Sequence, residues 1–197
     1  MKIQNVSEAY PLTLKYLKRQ DDVGATRILK EFEDQLFSTE DVKAFFPRFL
    51  KSKNVTVPAL EIVHYEWCQH EVLDSDFGQL RHEMHGLFVA LSFQALNLGK
   101  DSSREIGIEP GLHAFWRMQN KPQYRQLTGN EKIVIDALSD DNCFEYEAFI
   151  QFLAEAGGHD RDAVPPSEAE RLWRETTNQL LRDGIVIEMK TREVIND

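Results

Sequence analysis

Cysteine is nearly absent. Cys68 and Cys143 are the two in 197 residues, far apart and outside any Cys-x-x-Cys spacing, which excludes a disulfide framework and a cysteine-rich zinc site. Positive charge is also scarce. Lys and Arg total 23 against 33 Asp and Glu, a net charge of −10, the wrong balance for a protein that must displace counterions from a phosphate backbone. A basic partner fits better. No run of about 18 apolar residues is present to cross a bilayer, and no charged segment followed by an apolar one opens the chain as a secretory signal would. Met1 is expected to begin the mature protein, and the cytoplasm is the expected compartment. Gly-rich phosphate loops and a nucleophile elbow are missing as well, so nothing commits the chain to catalysis.

What is present is amphipathic periodicity. Hydrophobic residues make up 42% of the chain, enough for one large domain or two small ones. Ser7 to Gln20 and Asp22 to Phe37 place apolar residues three and four apart and predict two helices, with Asp22 as cap of the second. Ser38 to Asp41 supplies helix-start chemistry for VKAFFPRFL, with Pro47 as a break or kink. Pro58 suits the first turn of a fourth helix running to about Asp74. Four helices predict an N-terminal helical bundle, residues 1–85.

The pattern changes in residues 86–197. GLFVALSFQALNLG, from Gly86, fits a buried strand or a short helix equally well. Gly99 to Gly111 reads as a polar loop. LHAFWRMQ and YRQLT, around the turn Asn120-Lys121-Pro122, predict a hairpin. Three helices follow: one beginning at Thr128 to Asn130, FEYEAFIQFLAEAGG, and SEAERLWRETTNQLLRDG between a Ser167 cap and Gly184. IVIEMK closes as a strand. The expected fold is therefore α+β and mostly α, a helical bundle followed by a winged-helix-like domain with a small antiparallel sheet.

Winged helices bind DNA or dock peptides. The third of these helices carries Glu168, Glu170, Glu175 and Asp183 beside Arg171, Arg174 and Arg182, which offers no basic face to phosphate. A winged-helix transcriptional regulator is the alternative reading. An acidic dock in which an extended peptide adds a strand to an open sheet edge would select a basic peptide.

Short motifs carry a resemblance. Phe46-Pro47 with Phe49-Leu50 forms a Phe-Pro-x-Phe-Leu element. The next helix holds an aliphatic-aliphatic-x-x-Glu-Trp pattern at Ile62, Val63, Glu66 and Trp67, and a strand follows with Phe115, Trp116 and Arg117. This order resembles the small partner proteins of multinuclear non-haem iron oxygenases, methanobactin-biosynthesis partners among them. The resemblance implies a non-catalytic subunit without a cofactor or metal of its own. Iron is expected in an MbnB-like oxygenase partner, which converts cysteines of a ribosomally made precursor to oxazolone and thioamide groups. It also implies a peptide-recognition domain for the precursor's lysine-rich leader. Candidate leader-binding residues are Tyr124, Arg125, Gln126 and Leu127 on the strand edge, with Leu172, Glu175 and Gln179 on the last helix. His82, His85 and Trp116 are candidates for the oxygenase interface.

Histidines remain to be weighed. His82, Glu83 and His85 share one turn, but His-x-x-His is not the His-Glu-x-x-His spacing of a zinc helix. An independent metalloenzyme built on His64, His70, His82 and His85 is a third possibility. LEIVHYEWCQHEV (Leu60 to Val72) resembles a metal helix at first sight. At ~100° per residue, Leu60, His64, Trp67 and Glu71 share a face with Cys68 at its side, while Ile62, Tyr65 and Val72 spread around the rest. Apolar nearly all round, it is expected to be a central helix with satisfied polar groups and one face for a partner subunit.

Overall fold

The computed structural model describes residues 5–36, 42–74, 86–90, 92–119, 121–138, 145–158 and 165–189. The protein is α+β and mostly helical, and it divides into two compact units, Met1–Asp74 with Gln94–Gln126 and Ser75–Phe93 with Leu127–Asp197. The hairpin that follows residue 86 in the sequence thus joins the N-terminal helices, a grouping different from the division at 85/86.

In the first unit, α1 (Val6–Ala9) and α2 (Pro11–Gln20) replace one expected helix. Pro11 has no N–H to continue the ladder and holds Tyr10 out of helical geometry, at φ −131° and ψ 54°. α3 (Asp22–Gln35) is capped by Asp21, whose carboxylate accepts the Gly24 N–H, rather than by Asp22. The expected cap at Ser38 to Asp41 lies outside the described residues. α4 (Val42–Lys51) contains Pro47 and continues through it. The N–H that Pro47 lacks would have bonded the Lys43 carbonyl, and the Tyr10 hydroxyl donates to that carbonyl instead. Phe46, Phe49 and Leu50 sink into a cluster with Tyr10 and Phe32; Phe32 meets Phe46 edge-on at 5.0 Å between ring centroids.

α5 (Val57–Asp74) is the central element, buried through Ile62, Val63, Tyr65, Glu66, Cys68 and Val72. The antiparallel sheet β2 (Gln94–Leu98), β3 (Gly111–Met118), β4 (Lys121–Gln126) has order β2-β3-β4. Phe115 of β3 packs on α5 beside Tyr65, Cys68, Val72 and Leu98. The expected polar loop after Gly99 is a helix, α6 (Lys100–Ile106).

The second unit holds β1 (Gly86–Val89), α7 (Gly129–Leu138), α8 (Glu145–Gly157), α9 (Pro166–Asp183) and β5 (Val186–Met189), with β1 and β5 paired antiparallel. Thr128 and Glu131 form a reciprocal capping box on α7: Glu131 accepts the Thr128 N–H at 2.8 Å, and Thr128 Oγ1 accepts the Glu131 N–H at 3.3 Å. α9 starts at Pro166, with Pro165 and not Ser167 in the N-cap position, and ends at Gly184 with φ 73°. The stretch from Gly86 therefore supplies two strands, one to each sheet. A sheet does accompany the three helices, but it is β1-β5, so the strand that α9 feeds pairs back to residues 86–89 rather than to the hairpin.

Candidate functional site

The polar residues of α5 hold neighbouring helix ends. Glu66 is 4% exposed and accepts the N–H groups of Leu12 and Thr13 at 2.8 and 2.9 Å and the Thr13 hydroxyl at 2.6 Å. α2 has no side-chain cap of its own, so a carboxylate from another helix satisfies its first free donors. Burial raises the Glu66 carboxyl above its ordinary value, against the opposing pull of those donors. Glu61 does similar work on α6, accepting the Gly99 N–H at 2.8 Å and the Ser102 hydroxyl. A Cβ at Gly99 would lie 3.2 Å from Glu61 Oε2, which favours glycine there. His70 donates through Nε2 to the Ala9 carbonyl at 2.7 Å, on the last residue of α1. Cys68 is buried, and that burial, helped by Glu71, pushes its thiol up to about 12. It is an inert packing residue. Among the described residues, no group of three or more His, Cys, Asp or Glu could hold a metal ion.

Among the described residues, the sheet of the same unit has an open edge. β4 is an outer strand and has a single neighbour among the described strands, β3. Pro122 of β4 stands opposite Arg117, and without an N–H it cannot exchange hydrogen bonds there. In an antiparallel ladder, bonding and non-bonding pairs alternate. Tyr124 and Gln126 therefore also point their backbone groups away from β3, toward the open edge. Arg125 Nη1 donates to the outward Gln126 carbonyl at 3.0 Å, in keeping with this parity. The Tyr124 side chain is 49% exposed and stacks on Phe115 with ring centroids 6.1 Å apart.

Beside this edge, Gln69, His70 and Val72 of α5 and Phe115, Pro122, Gln123 and Tyr124 of the sheet line a cleft of about 280 Å³. That is below the ~300–1,000 Å³ of ordinary small-molecule pockets and suits one apolar side chain. Sequence reasoning missed the α5 residues of this cleft. Pro122 was the available signal, because proline inside a strand marks an edge.

Of the expected leader-binding residues, Tyr124, Arg125 and Gln126 lie together on β4. Leu127 is buried at 7% exposure beyond the strand's end, in the second unit with α9. On α9, Leu172 is half-buried, the exposed Glu175 bonds Arg171 at 2.9 Å, and Gln179 donates to both oxygens of Asp183 at 3.0 Å. Arg174 likewise pairs with Glu170, at 2.7 Å. Trp116 is 5% exposed on β3, a packed side chain within the chain itself. His82 and His85 lie outside the described residues.

Charge is unevenly divided. The first unit carries 15 Lys and Arg against 15 Asp and Glu; of the chain's 23 and 33, that leaves 8 basic and 18 acidic residues in the second. The entire net charge of −10 therefore belongs to the unit built on α7, α8 and α9. Among the described residues, no helix is long and apolar enough to cross a membrane. No protein-family model and no curated protein matches the chain.

Proposed function

We propose that this chain is a non-catalytic, peptide-recognition subunit of an iron-dependent oxygenase complex that modifies cysteines of a ribosomally made precursor, of the methanobactin type. It binds the precursor's leader and the oxygenase, and works in the cytoplasm. The observation that carries the reading is the outward backbone edge of β4 at Tyr124 and Gln126 beside an apolar cleft. An added strand would find hydrogen-bond partners along the edge and a socket for one side chain.

Two further features support it. The phenylalanines and leucine of the Phe-Pro-x-Phe-Leu element and the glutamate of the Glu-Trp pattern have structural duties here, core packing and the capping of α2; such duties suit a scaffold. The excess of acidic residues in the second unit supplies long-range attraction for a lysine-rich leader, whereas β4 itself bears Lys121 and Arg125 and offers backbone and apolar contacts. The regulator reading is less well supported, because two α9 arginines are tied to glutamates of the same helix.

The test is metal content and association. Purified alone, the chain carries far less than one equivalent of iron or zinc, and co-expressed with an MbnB-like oxygenase, it elutes as a stable complex with iron. Stoichiometric metal in the isolated chain, or failure to associate, overturns the proposal.

A further inference from the structure

A second surface lies on α5. His64, Trp67 and Glu71, spaced i, i+3 and i+7, are half-buried along one stripe of α5. Ala44, Pro47, Arg48 and Lys51, at i, i+3, i+4 and i+7, form the facing stripe of α4. The short connection 52–56 makes the two helices a hairpin, and these seven residues line the trough between them, about 490 Å³ in volume. Its chemistry is directional. Lys51 and His64 are close enough for the lysine's charge to help burial lower the imidazole's pKa, so at neutral pH the histidine is uncharged and the cations are Arg48 and Lys51. Both are exposed, and neither forms an ion pair with any described residue. Trp67 lies between them and Glu71.

We infer that this trough is a docking site for an acidic amphipathic helix of a partner protein. Two parallel rows of side chains at helical spacing accept a third helix by groove packing, which the staggered contacts of an extended strand would not match. A large apolar residue of the incoming helix covers Trp67. Carboxylates at i and i+4 on its flank meet Arg48 and Lys51, whose charge lacks a described counter-ion. A tryptophan bordered by an arginine is the composition expected at the centre of an interface rather than on a solvated face. The site is separate from the β4 edge and stands or falls independently of leader recognition.

The test uses the full-length, ¹⁵N-labelled chain and a blocked 18-residue peptide of Leu, Ala and Glu with its leucines on one helical stripe. The Trp67 indole N–H signal is assigned by its loss in Trp67→Phe. Titration shifts that signal and the amides of α4 and α5, and raising the salt from 50 to 500 mM weakens binding at least tenfold. The double charge reversal Arg48→Glu with Lys51→Glu changes two exposed side chains, keeps the fold, abolishes binding of the Glu peptide and gains binding of its Lys counterpart. Absence of shifts, shifts unaffected by the reversal, or the same shifts with phosphatidylglycerol vesicles, which would identify a general anionic surface, overturn the inference.

Discussion

Glu66 Oε2 accepts the backbone N–H of Thr13 at 2.9 Å, across 53 residues of sequence. This carboxylate closes the start of α2 from the middle of α5. Glu66→Ala would leave two backbone donors and a hydroxyl unsatisfied in a buried site, at a cost of about 3 kcal/mol. The expected result is a fall in Tm of roughly 6–12 °C for a chain of this size, with Glu66→Gln losing less because one acceptor oxygen remains. Thermal unfolding followed by circular dichroism measures it; an unchanged Tm in Glu66→Ala would remove the capping role.

The pH dependence of the same residue has a definite sign. Burial raises the Glu66 carboxyl in the folded state above its unfolded value, so its contribution is complete below the unfolded value and declines as pH rises through the folded one. The stability margin of the natural protein over Glu66→Gln therefore narrows from acid toward neutral pH. Urea titrations at several pH values test this, and a margin that widens with pH would show that the three hydrogen bonds outweigh burial.

Tyr10 and Pro47 are coupled through a carbonyl that belongs to neither. Tyr10→Phe removes the hydroxyl that donates to the Lys43 carbonyl, which Pro47 cannot serve, at a cost of about 1–2 kcal/mol. Pro47→Ala restores an N–H at that position. In a double-mutant cycle the cost of Tyr10→Phe is expected to fall by at least half in the Pro47→Ala background; additive effects would count against the coupling.

Cys68 is expected to resist chemistry. With its thiol pushed up to about 12, almost none is thiolate at pH 8. A Cys143→Ser variant should react with iodoacetamide only in denaturant, and mass spectrometry of the folded protein showing rapid alkylation would contradict the buried placement.

Much of the fold is legible from local pattern, because caps, glycines and proline act within a few residues. Thr128, Gly184 and the apolar spacing of α5 belong to that class. What escaped the sequence depends on distant partners. α6 reads as a polar loop because the Glu61 carboxylate that meets its first turn lies 38 residues before Gly99. The split at Tyr10-Pro11 is stabilised by Glu66, and the helical state of Pro47 by Tyr10. Strand partners are equally non-local: nothing in IVIEMK announces that it pairs with Gly86–Val89. For the candidate site, the β4 residues were legible from alternation, whereas Gln69, His70 and Val72 join them only once α5 packs on the sheet.

The proposed function places a leader strand on the β4 edge. Calorimetric titration of the cognate leader into the chain–oxygenase complex, with and without Tyr124→Pro, tests it most directly. Because the Tyr124 N–H points away from β3, the proline removes no ladder bond and the complex should keep its fold while losing leader affinity at least tenfold. Absence of saturable heat with the natural protein, or equal affinity with Tyr124→Pro, would contradict it.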